Sequence, residues 1–108
     1  MIDVLALAEE HLALAKENPH GRSTHTYVNE GILRQAVIAL TAGAVLGEHD
    51  APPAASLHVL SGRVRIVGDG ETTALATGQA APVPQLRHSV EADEDSVVIL
   101  TSVVNLPG

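Results

Sequence analysis

Histidine is the side chain in this sequence best suited to chemistry near neutral pH. Two of its six histidines, His49 and His88, close stretches that look alike. The first runs Gly43-Ala44-Val45-Leu46-Gly47-Glu48-His49. The second runs from Gly78 through Pro82, Val83 and Pro84 to His88. Each begins on glycine and carries one histidine, and the interval between them reads as paired strands. The spacing predicts that His49 and His88 face each other across a small β-barrel. A pair of imidazoles there can form part of a site for Zn, Ni, Fe, Mn or Cu, bind the polar group of a small organic molecule, or titrate as general acid and base. Gln85 and Arg87, beside His88, are further candidate ligand contacts; Arg87 at the barrel mouth would suit a carboxylate. The plain alternative is two imidazoles hydrogen-bonded inside the barrel, which also demands local polar partners. No Ser-His-Asp or paired-carboxylate arrangement supports the acid–base role specifically.

The elements that must position these histidines follow from periodicity. Asp3 to Glu17 reads as a helix. Leu5, Ala8, Leu12 and Ala15 form its apolar stripe, Asp3 its N-cap, and Asn18-Pro19 its stop. From Pro19 onward the pattern is strands: Thr24–Val28, Ile32–Leu40, Val45–His49, Ser56–Leu60, Arg63–Val67, Glu71–Leu75, Ala81–Val83, His88–Glu91 and Val97–Val104. Turn signals such as Ser61-Gly62 and Gly68-Asp69-Gly70 separate them. Many short strands at this spacing indicate a sandwich or barrel. Arg63 and Arg65, with Arg34 nearby, read as charges on an outer sheet face. Glu91, Asp93, Glu94 and Asp95 read as a solvated acidic turn, without calcium-loop spacing.

Composition bounds the function classes. A chain of 108 residues is expected to form one domain. A net charge of −7 with six Lys and Arg argues against a nucleic-acid partner. Tyr27 is the only aromatic residue, so bases would find no stacking platform. No apolar run approaches the ~20 residues of a membrane span. The start lacks a secretory pattern, and the absence of cysteine suits a reducing cytoplasm.

The stretches from Gly43 to Gly62 and from Gly78 to His88 resemble the two conserved blocks of the cupins, small double-stranded β-helix barrels. Val59-Leu60-Ser61-Gly62 matches the ending of the first block; Gly78, Pro84 and His88 match the second. The interval from Pro84 to His88 is one residue short, and Leu86 stands where glycine is common. The resemblance covers roughly residues 32–104. It implies an all-β, cupin-like jelly-roll barrel with an N-terminal helix: residues 1–18 as helix and 19–108 as barrel, in one structural domain. In metal-binding cupins three histidines and a glutamate hold a divalent ion. Here the resemblance keeps His49 and His88 but puts Ala51 at the second histidine and Ala55 at the glutamate. A third ligand would have to come from His25, Glu48, Asp50, Gln85 or His58, and strand alternation points His58 outward. The leading expectation is a cytoplasmic homodimer that binds a small organic ligand, a divalent metal or both between His49 and His88. The alternatives are a metal-dependent dioxygenase or isomerase with a non-standard ligand set, and a structural barrel whose pocket is filled.

Overall fold

Asp3 starts the first element. Its Oδ1 accepts a hydrogen bond from the Ala6 amide at 3.0 Å, satisfying a donor that the first helical turn leaves open. Helix α1 then runs Val4–Glu17 and ends at Asn18, whose extended backbone turns the chain out ahead of Pro19. The computed structural model describes residues 1–49, 53–68, 70–84 and 88–105. After α1 come nine strands: β1 (Arg22–Glu30), β2 (Leu33–Leu40), β3 (Val45–His49), β4 (Ala54–Ser61), β5 (Arg63–Gly68), β6 (Glu71–Ala76), β7 (Ala80–Pro82), β8 (His88–Ala92) and β9 (Ser96–Val103). Every strand expected from the sequence is present; β1 and β4 are three or four residues longer than expected, and the others agree to within one residue at each end.

The strands form two antiparallel sheets, β1-β2-β9-β4-β7 and β3-β8-β5-β6. Only the β1–β2 and β5–β6 connections stay within one sheet; every other strand-to-strand connection crosses to the opposite sheet. That alternation is the jelly-roll form of an all-β fold. The two sheets are hydrogen-bonded separately and do not close into a continuous ring.

Ala36, Ile38 and Leu40 of β2 point between the sheets and pack with Leu57, Val59, Val64, Ile66, Leu75, Val90 and Val98. Val37 and Ala39, on the other face of β2, pack with Val97 and Ala15 under the helix. Strand β2 is therefore buried on both sides over its last five residues. The helix faces the sheet with Val4, Leu7, Ala8, His11, Leu12 and Ala15. The expected stripe is corrected at Leu5, which is 69% exposed. The true face is rotated toward Leu7, and a histidine lies at its centre, where a hydrophobic pattern does not look for one. Among the described residues no helix is long and apolar enough to cross a membrane.

Candidate functional site

Strand β8 is buried on both faces at its start, with Ser89 covered as well as His88. Val90 and Ala92 belong to the core between the sheets, and His88 shares their parity. His88 is 3% exposed. Its cross-strand partners are His49 on β3 and Gly68 on β5. The two histidines are thus register partners on neighbouring strands of one sheet, and do not sit across the barrel from each other. On its other flank His88 meets a residue without a side chain. Gly68 is the cross-strand neighbour of His88 on β5 and places no side chain beside the imidazole. In the sequence Gly68 reads only as part of a hairpin turn, and only the pairing of β5 with β8 links it to His88.

The β3–β8 ladder carries an irregularity next to this pair. Leu46 pairs with Val90 and His49 with His88, so three steps on β3 match two on β8. One extra residue in a strand is a β-bulge, and it resets the alternation of everything beyond it. Without it, position 49 would not share register parity with Leu46, which packs on the core.

The other candidate ligands do not gather here. His25 lies on β1 opposite Val37, on the helix side of the sheet, stacked on His11 with ring centroids 5.4 Å apart. His58 is exposed between the buried Leu57 and Val59, as alternation predicts. Ala55, at the position the resemblance assigns to glutamate, packs its methyl against the core. Gln85, Arg87, Asp50 and Ala51 lie outside the described residues. Among the described residues no three His, Cys, Asp or Glu side chains form a group able to hold a metal ion. Two imidazoles do not fit a firmly held ion, which normally takes three or more protein ligands.

The charged residues serve the frame. Arg65 donates to Asp93 at 2.8 Å and lies 3.5 Å from Glu91. Those carboxylates hold its pKa above the ordinary arginine value. Asp95 accepts from the Ala42 amide at 2.9 Å and lies 3.9 Å from Lys16. The acidic turn is therefore a latch between β8, β5 and the helix as well as a solvated surface. Arg34 is not beside Arg63 and Arg65. It sits on β2 in the other sheet and donates back to the carbonyls of Gly31 and Leu33. A cleft of about 290 Å³ opens at the ends of β4 and β9, lined by Ala54, Ala55, Ser56, Thr101, Ser102 and Val103.

The architecture is that of known structures. It matches a cupin-2 domain protein from Shewanella frigidimarina with a TM-score of 0.71 and 13% identity, over 95% of this chain and 94% of that one. The chain has the cupin fold. The chain is also similar to a conserved protein of unknown function from Streptococcus pyogenes, with a TM-score of 0.73 and 28% identity over 83% of this chain and 80% of that one. A salicylate 1,2-dioxygenase from Pseudoaminobacter salicylatoxidans, crystallised as adducts with gentisate, matches 93% of this chain with a TM-score of 0.75 and 24% identity. This chain spans only 31% of that enzyme's length. No protein-family model matches the sequence, and no curated protein matches it.

Proposed function

We propose that this cupin binds a small organic molecule at the His88 end of the barrel, with His49 as the second imidazole. The observation that carries the reading is the setting of His88: buried, on the inner sheet face, with a glycine on one flank and a histidine in register on the other. A neutral imidazole carries both a donor and an acceptor nitrogen, the pair of functions a polar ligand group is recognised by. Arg87 and Gln85, just before β8, would meet a carboxylate. A hydroxylated aromatic acid such as the gentisate found with the dioxygenase is the first ligand class to try. A divalent transition metal would have two imidazoles to hold it and would need a third ligand from residues outside those described, Asp50 among them. The dioxygenase or isomerase reading depends on that third ligand.

We also place two copies in a homodimer in the cytoplasm. Exposed Ile32 and Leu33 at the free β1–β2 end support the pairing, and the lack of cysteine suits a reducing compartment.

Calorimetric titration with gentisate and salicylate, each with and without Zn, Ni, Fe, Mn or Cu, tests the site. Saturable binding that weakens at least about tenfold in His88→Gln and His49→Gln is expected, since a buried charge-assisted hydrogen bond contributes on that order. Binding untouched by both substitutions, or none with any probe, would overturn the reading. Sedimentation velocity reads the dimer.

A further inference from the structure

The geometry points to a second binding site, for a small organic cation, in the cleft between α1 and β1. It lies on the outer face of the five-stranded sheet, away from His88. The cleft holds about 440 Å³, more than the opening at the ends of β4 and β9. That is a size typical of small-molecule sites.

Its lining has a consistent chemistry. Ile2, Leu7 and the ring of Tyr27 give it an apolar body. Tyr27 is the chain's sole aromatic residue, and an aromatic face attracts organic cations. Two carboxylates, Asp3 and Glu10, stand at the cleft. Asp3 spends one oxygen on the helix cap. The Glu10 carboxylate makes no hydrogen bond or ion pair with any described residue. No lysine or arginine is among the described residues lining the cleft.

The remaining wall is held in place. His25 lines the cleft and stacks on His11, and His11 Nδ1 lies 2.6 Å from Ser23 Oγ. His11 is 9% exposed and gives the exposed His25 ring a buried surface to stack on. A wall fixed by packing and hydrogen bonds costs little to order when a ligand arrives. An ammonium group on an apolar body meets each of these features. An anion meets two carboxylates and a chain of net charge −7. A neutral apolar molecule would fill the cleft without calling on Glu10.

Tyr27 makes the test direct, because with no tryptophan and no other tyrosine its emission reports this cleft alone. The full-length protein is titrated with hexylammonium chloride, hexanol and hexanoate while tyrosine fluorescence is followed. Hexylammonium is expected to give a saturable change, with hexanol and hexanoate weaker. Glu10→Gln should weaken hexylammonium by about three- to fivefold, the worth of an exposed ion pair. Ala6→Leu, which adds volume in the cleft at a helix-compatible position, should abolish the response with the circular dichroism unchanged. His88→Gln should leave the response intact, which separates this site from the barrel site. Equal responses to hexylammonium and hexanol, or an unaltered affinity in Glu10→Gln, would overturn the assignment. So would emission that follows protein concentration instead of probe, since the cleft would then seat a second copy of the chain.

Discussion

Ser96 has no exposed surface, yet it is polar. Its hydroxyl accepts from the Arg63 amide at 2.9 Å and lies 2.7 Å from the Glu94 carbonyl, to which it donates. One side chain thus ties the acidic turn to the start of β5. Ser96→Ala removes the acceptor of the Arg63 amide in a part-buried turn, and should cost about 1 kcal/mol in a urea titration. Tyr27 gives a second residue-scale prediction. Burial raises its hydroxyl pKa above the ordinary value of 10.0. The unfolded chain therefore gives up this proton first as the pH climbs. The contribution is fully present below pH 10 and is lost as pH rises from there through the folded-state pKa. Denaturant midpoints at pH 9 and pH 11 should fall with pH, and the fall should shrink in Tyr27→Phe. At this scale the sequence was informative about identity and poor about neighbourhood. His49 and His88 announce themselves as imidazoles after glycine-led stretches. That they are adjacent depends on β3 pairing with β8, a contact between strands about forty residues apart, and no local pattern encodes it.

The elements themselves were easier to read. Strand alternation placed Leu57 and Val59 inside and His58 outside, and Asp3 and Asn18-Pro19 marked the helix ends. The helix face is harder to read, because apolar residues occur on more than one side of α1 and the buried His11 interrupts the correct stripe. Leu5 and Leu14 remain exposed. Glycines mark where the elements turn. Gly62 has φ +95°, and a methyl group there would collide with the Ser96 side chain and backbone. Gly78 has φ +85° but faces open space. An alanine in left-handed geometry costs about 1–2 kcal/mol by itself. Gly78→Ala should lose about that much stability, and Gly62→Ala distinctly more, because the β4–β5 turn must also shift away from Ser96. Matched thermal melts of the two variants measure the difference; equal losses would mean that the close approach carries no weight.

For the whole molecule, the helix and the two sheets form one stability unit. Removing residues 1–18 would expose Val37, Ala39 and Val97, now covered by Leu7, Ala8, Leu12 and Ala15. Each apolar side chain returned to water costs on the order of 1.5–3 kcal/mol when burial was complete. The truncated chain should melt at least about 10 °C lower than the full chain and aggregate on heating, as followed by calorimetry with light scattering. A truncated protein as stable as the parent would mean that the helix merely rests on the sheet. The double burial of β2 has a consequence for how such chains diverge. Residues 36, 38 and 40 answer to the opposite sheet, whereas 37 and 39 answer to the helix. Along a single strand, alternate columns of an alignment of related chains should therefore drift with different companions. The even columns should co-vary with positions 57, 64 and 90, and the odd ones with 7, 12 and 15.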